Sequence, residues 1–202
     1  MNRYRFSVAV GVISLLIILV EATAAQNSLV FSMVRSSTAV TAGCFPNAKG
    51  RVTIHPLGPV ESMHVEVSGL PPHTGFDFFV IQIPDKPFGL SWYQGDINTD
   101  GNGLGVGDFI GRFSLETFIV APGSGPAPVV HTAPPFPDAN TNPATNPVHT
   151  FHLGLWFNSP NDAATASCPN TETPFNGNHT AGVQVLSTRN FPVTSGPLRK
   201  IP

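Results

Sequence analysis

Oxygen-bearing side chains recur at alternate positions in one short segment, residues 96–101. Asp96, Asn98 and Asp100 take its first, third and fifth positions, and a glycine follows. Carboxylate and amide oxygens suit Ca²⁺, and a tightly curled backbone turns alternate side chains inward. These three residues are therefore candidate calcium ligands, and calcium is the one candidate cofactor. The twelfth position is Gly107 instead of Glu, so we favour the alternative of a plain hairpin turn.

The chain has seven histidines, and two of them, His149 and His152, have the spacing of a metal pair. Residues three apart on a strand point to opposite faces, so this pair would not converge without a bulge. A copper or zinc site would need His152 to meet other histidines, such as His131 or His179. Ordinary hydrogen-bonded histidines are the alternative that we favour. A metal carrier or metalloenzyme using His152 is therefore a second functional hypothesis.

Two aromatic pairs, Trp92-Tyr93 and Trp156-Phe157, fall in predicted strands. Each pair should split across two faces, with one member in the core. The other member could form a stacking platform for a sugar ring or an apolar ligand. Trp92 and Trp156 are thus candidate ligand-binding residues, and a carbohydrate-binding module is a third hypothesis. Core packing is the alternative for both.

Catalytic signatures are missing from the sequence. It has no Gly-x-Ser-x-Gly elbow, no His-Glu-x-x-His pair and no phosphate-cradling glycine loop. A glycosidase would need two carboxylates facing each other across a substrate, and carboxylates are sparse here. We therefore assign no catalytic residue and expect a protein that is not an enzyme.

Residues 1–25 have the pattern of a secretory signal. Arg3 and Arg5 precede an apolar run over residues 6–20, and small side chains end at Ala25. The run is shorter than the roughly 20 residues that span a membrane, so we expect cleavage instead of a retained anchor. The mature protein should lie in the periplasm, in the cell envelope or outside the cell, with no membrane span.

Export also bears on two further predictions, a disulfide between the cysteines and a glycosylation site at one asparagine. The chain has two cysteines, Cys44 and Cys168. An even pair in an exported chain predicts one disulfide, with two free thiols as the alternative. Asn178 begins a glycosylation sequon that matters only in a host that glycosylates.

The composition favours many short strands. Only 11% of the 202 residues are charged, whereas 19 are Gly and 21 are Pro. The net charge of −2 gives no basic surface, so we expect no nucleic-acid partner. Alternating apolar residues predict strands over 28–35, 51–55, 63–67, 76–83, 89–97, 106–120, 148–157 and 182–187.

These strands predict an all-β domain over residues 26–202. Its architecture should be an antiparallel β-sandwich of immunoglobulin-like or Greek-key style, with a closed barrel as the alternative. Residues 76–83 are apolar on both faces, which is typical of a central, doubly covered strand. Residues 121–147 contain eight prolines and should form a long connection inside the domain.

Three runs, VSGLPP (67–72), SWYQGD (91–96) and HLGLWFNSP (152–160), resemble segments of secreted bacterial proteins without an assigned function. The resemblance covers most of the mature chain and implies export but no activity. Our first hypothesis is therefore an exported, non-enzymatic binding or structural module, stabilised by calcium at residues 96–100. Its partner would be an extracellular ligand or a component of the envelope.

Overall fold

The computed structural model describes residues 27–89, 91–114, 149–168 and 181–202, and most of their regular structure is β. The described strands are β1 (Leu29–Arg35), β2 (Lys49–Pro56), β3 (Glu61–Ser68), β4 (Gly75–Ile81), β5 (Ser91–Asn98), β6 (Gly105–Gly111), β7 (His152–Phe157) and β8 (Gln184–Ser187). Short helices are α1 (Ser37–Thr41), α2 (Pro160–Thr165) and a 3₁₀ turn over Pro197–Lys200. Each strand overlaps one predicted from the sequence, which confirms the all-β class.

The strands form one antiparallel sheet that curls into a nearly closed barrel. Their order is β5-β4-β7-β8-β1-β2-β3-β6. Strand β1 joins the two halves, because Leu29–Met33 pair with β2 whereas Val34–Arg35 pair with β8. The outermost strands, β5 and β6, belong to one hairpin and meet at a bridge between Thr99 and Gly105. This curvature corresponds to the barrel alternative.

The half made of β1, β2, β3 and β6 buries one face only. On β2 and β3, Val52 pairs with Val65 and Ile54 with Met63, and all of them lie in the core. The intervening side chains reach the surface to different extents. A shift of register by one residue would exchange these two sets, so the alternation specifies the pairing. We call this half the open sheet.

The half made of β8, β7, β4 and β5 is covered on both faces along its central strands. Every residue of β7, and every residue of β4 after Gly75, is buried. Phe78 and Leu155 face the main core, whereas Phe79 and Trp156 belong to a second cluster. The other members of this outer cluster are Ile81, Phe88 and Ala181. The predicted doubly covered strand is therefore confirmed, and we call this half the covered sheet.

The predicted disulfide between Cys44 and Cys168 is present, with the Cα atoms 5.7 Å apart. It joins residues 124 positions apart, one just after α1 and the other just after α2. In the chain-entropy model, a loop this long contributes about 4–5 kcal/mol to stability. The bond therefore ties the early and late parts of the described chain together.

The two helices that precede the cysteines, α1 and α2, end in the same way. The N–H groups of Cys44 and Cys168 donate to the carbonyls of Ala39 and Ala163, each at 2.9 Å. The residue before each cysteine is left-handed, with φ of 71° at Gly43 and 58° at Ser167. These are Schellman caps, in which a left-handed residue lets the next N–H reach back over the last turn. Helix α1 is not among the elements predicted from the sequence.

Several predictions fall on residues outside the described ranges. They are the signal sequence (1–25), the proline-rich connection (121–147) and the sequon at Asn178. Strand β6 ends at Gly111, and residues 115–120 of the longer predicted strand also lie outside those ranges. Within the described ranges, no helix has the length and apolarity needed to cross a membrane.

Candidate functional site

The outward face of the open sheet carries polar and apolar side chains in register. Two rows cross β1, β2, β3 and β6 in turn. They are Ser32-Arg51-Glu66-Val106 and Val30-Thr53-His64-Asp108. Directly opposed side chains on neighbouring strands are close enough to interact. The register therefore brings together residues that are far apart in the sequence.

One ion pair and one histidine–carboxylate contact lie in these rows. Arg51 Nη1 lies 3.3 Å from Glu66 Oε2, and His64 Nδ1 lies 2.6 Å from Asp108 Oδ1. The side chains of His64 and Asp108 remain 40% and 75% exposed. Because Asp108 occupies Nδ1, Nε2 is the nitrogen of His64 that can meet a ligand from solvent.

A groove of about 570 Å³ also crosses the open sheet. Ligand sites commonly have volumes of roughly 300–1,000 Å³, so a small molecule would fit. Leu104 and Val106 in its lining are 50% and 56% exposed, which leaves apolar surface for a ligand. Further lining residues include Val34, Lys49, Arg51 and Glu66.

Exposed apolar side chains concentrate on the β5–β6 hairpin. Of the nine large apolar residues that are exposed within the described ranges, five belong to this hairpin: Trp92, Tyr93, Leu104, Val106 and Ile110. Clustered apolar surface marks interaction sites more often than scattered single residues do. Among the described residues, the β5–β6 hairpin therefore carries more than half of the large apolar side chains that are exposed.

The three candidate calcium ligands have different neighbours. Asp96 Oδ1 accepts a bond from the Tyr93 hydroxyl at 2.6 Å. The side-chain oxygen of Asn98 lies beside Gly75 of β4. Within the described ranges, no group of three or more His, Cys, Asp or Glu side chains is placed to hold a metal. Calcium binding stays a prediction.

Asp100 closes the turn between β5 and β6. Its Oδ1 accepts bonds from the N–H groups of Asn102 and Leu104, at 2.8 and 2.9 Å. These bonds, the one from Leu104 first, hold the pKa of Asp100 below its usual value. This is the role that the alternative prediction, a plain hairpin turn, gives to an aspartate.

A bulge in β5 accompanies the exposed aromatic residues. The pairing with β4 shifts between Phe78 and Phe79, so that Phe78 faces Gly95 but Phe79 faces Tyr93. Burial, followed by the hydrogen bond to Asp96, raises the pKa of Tyr93. Its hydroxyl therefore stays protonated and donates to Asp96.

The two tryptophans have opposite environments. Trp156 is fully buried, with its ring centroid 5.3 Å from that of Phe79 and 5.0 Å from that of Phe88. Trp92 is 41% exposed. Of the two candidate ligand-binding residues, Trp92 alone offers a surface for stacking.

His152 is fully buried at the start of β7. Its Nδ1 lies 3.0 Å from Thr188 Oγ1, and its Nε2 lies 3.1 Å from the Val193 carbonyl oxygen. Burial lowers the pKa of His152, whereas its hydrogen bonds act in the opposite direction. Both ring nitrogens of His152 therefore have partners in the C-terminal segment, whereas His131 and His179, its suggested metal-binding partners, lie outside the described residues.

Sequence reasoning did not single out the His64–Asp108 pair or the groove. The sequence did contain one relevant pattern, because the alternation in residues 63–67 places His64 and Glu66 on the polar face of a strand. Asp108 is 44 residues away and on another strand, so only the register brings it to His64. No protein-family model matches this chain, and no curated protein matches it significantly.

Proposed function

We propose that the chain is an exported, non-enzymatic binding module that acts in the periplasm, in the cell envelope or outside the cell. The observation that carries this proposal is the groove on the open sheet, flanked by exposed Leu104 and Val106. A mixed apolar and charged lining suits a small amphiphilic molecule or a short segment of an envelope component.

The disulfide supports the exported part of the proposal. Disulfides persist in oxidising compartments, and the one observed here joins distant parts of the chain. We expect expression with residues 1–25 to yield a processed protein that begins close to Gln26. Intact mass should show this start, and thiol labelling before reduction should find no free cysteine. An unprocessed chain with two reactive thiols would contradict export.

Two valines provide a matched test of the groove. Val106 lines it and is 56% exposed, whereas Val193 lies elsewhere and is 55% exposed. The probe is the apolar dye 8-anilino-1-naphthalenesulfonate, with near-ultraviolet circular dichroism to verify native packing. We expect Val106→Lys to reduce the dye's fluorescence gain several-fold and Val193→Lys to leave it unchanged. An equal fluorescence gain in the two variants would exclude the groove as the binding site of the dye.

Native mass spectrometry of protein collected from culture medium then addresses the ligand itself. A bound molecule should accompany the wild type and Val193→Lys but be depleted in Val106→Lys. For a non-enzymatic module, the molecule should be released at the mass at which it was bound. A systematic mass change on incubation would instead indicate an enzyme.

Calcium remains part of the proposal as a stabilising ligand. Asp96 and Asn98 point outward from the same strand, and both are exposed. Ligand binding to the folded state raises Tm. We expect Ca²⁺ to raise Tm in the wild type but not in Asp96→Asn, with Mg²⁺ as the control ion. An unchanged Tm in millimolar Ca²⁺ would contradict calcium binding and favour a plain hairpin turn for residues 96–101.

A carbohydrate ligand is the second candidate, and exposed Trp92 favours it. Soluble glycans should then quench the fluorescence of Trp92 but not that of buried Trp156. Quenching should therefore disappear in Trp92→Phe, and quenching that persists in this variant would exclude this site.

A further inference from the structure

We propose that His55 and His64 form a surface site for a divalent transition-metal ion on the open sheet. This inference goes beyond the proposed function and stands on different residues from the groove. It begins with His64, whose Nδ1 lies 2.6 Å from Asp108 Oδ1. Metal-binding histidines commonly make such a bond with one ring nitrogen, which orients the ring and leaves the other nitrogen for the ion.

The second ligand comes from the neighbouring strand. In the β2–β3 pairing, Thr53 faces His64 and His55 faces Ser62, so His55 and His64 are diagonal neighbours. Residues two apart on a strand share a face, which places His55 on the same outward face as Thr53. Diagonal neighbours lie about 7–8 Å apart, within reach of aromatic side chains. His55 is exposed, so its ring can turn toward Nε2 of His64 without displacing the core.

The chemistry of this pair suits particular ions. Imidazole nitrogen is a preferred ligand of copper, zinc and nickel, and Cu²⁺ binds nitrogen sites most tightly in the divalent series. Two imidazoles leave the remaining positions to water, which makes this an open site and not a structural one.

The contrast with His152 explains why the site lies here. From the sequence, His152 was the metal ligand of an alternative hypothesis only, and in the structure both of its ring nitrogens have partners within the protein. On the open sheet, one nitrogen of His64 is anchored by a carboxylate and the ring remains 40% exposed. Exposure and an oriented ring are what a surface metal site requires.

The test is calorimetric titration of the untagged, exported protein with CuCl₂ and, separately, with ZnCl₂ at pH 7.5. We expect one ion per chain at this site, bound more tightly for Cu²⁺ than for Zn²⁺. His55→Ala and His64→Ala should each weaken binding about 10-fold or more, and Asp108→Asn about 10-fold, as lost orienting bonds do elsewhere. His73→Ala removes an exposed histidine from the loop between β3 and β4, so this variant should bind the metal ion with wild-type affinity.

A check on folding makes the outcome decisive. If an alanine variant fails to show the native Tm, the glutamine variant at the same position replaces it. Absence of one-to-one binding, or unchanged affinity in both His55→Ala and His64→Ala, would overturn the proposal. Binding lost only in His73→Ala would overturn it as well.

Discussion

The outward faces of the covered sheet and the open sheet differ, although both sheets bury their inner faces in the same core. Outside the covered sheet, Phe88 returns from the loop after β4 and packs on Trp156, so that a second apolar cluster forms there. Outside the open sheet, the Arg51–Glu66 ion pair, the His64–Asp108 contact and exposed apolar residues meet solvent. One half of the barrel therefore adds stability on its outside, whereas the other half keeps a surface available for binding.

Two isoleucines give the largest expected contrast. Ile81 is fully buried in the cluster outside the covered sheet, whereas Ile110 on β6 is 63% exposed. Ile81→Ala removes buried methyl groups and leaves a cavity, so it should lower the free energy of unfolding by about 2–5 kcal/mol. Ile110→Ala should change it by no more than about 0.5 kcal/mol.

Urea unfolding of both variants measures this contrast. Equal m-values would show that the comparison concerns stability and not a change in the surface exposed on unfolding. A small loss in Ile81→Ala would mean that the outer cluster is loosely packed. A large loss in Ile110→Ala would mean that the open sheet is covered in solution.

Sequence alone predicts the strands of both sheets, because alternation with period two is a local signal. It also predicts the two-sided burial of residues 76–83, where both alternating sets are apolar. Helix α1 was missed because its main signal, the capping serine Ser36, precedes only five helical residues. Short polar segments with such caps are common in turns as well.

The site was less predictable than the fold. The pairing of His64 with Asp108 depends on the register between β3 and β6, and no local pattern encodes it. Likewise, residues 152–157 do not reveal that His152 would be held by Thr188 and Val193 from the C-terminal segment. The sequence predicts which residues lie on strands, but it does not predict which residue of another strand each of them contacts.

The burial of His152 in the covered sheet should make the stability of the protein depend on pH. Burial lowers the folded-state pKa of His152 below the unfolded value of about 6.5. As the pH falls through 6.5, the unfolded chain binds this proton before the folded chain does. The free energy of unfolding should therefore decrease from about pH 6.5 downward and level off below the folded-state pKa.

A comparison of variants isolates this contribution from the carboxylates. Urea unfolding between pH 7.5 and pH 4.5 should show a shallower pH dependence in His152→Gln than in the wild type. The same slope in the wild type and in His152→Gln would mean that His152 is accessible to protons in the folded state.

The smallest expected effect tests whether the open sheet is open in solution. The side chains of Arg51 and Glu66 are 58% and 50% exposed, so water and salt should screen their attraction. A double-mutant cycle with Arg51→Ala and Glu66→Ala should give a coupling energy of about 0.2–1 kcal/mol at low salt, and less at high salt. A coupling above about 2 kcal/mol that salt does not change is typical of a desolvated pair. That result would place a partner or another part of the chain over the rows of the open sheet, and it would remove the contrast with the covered sheet.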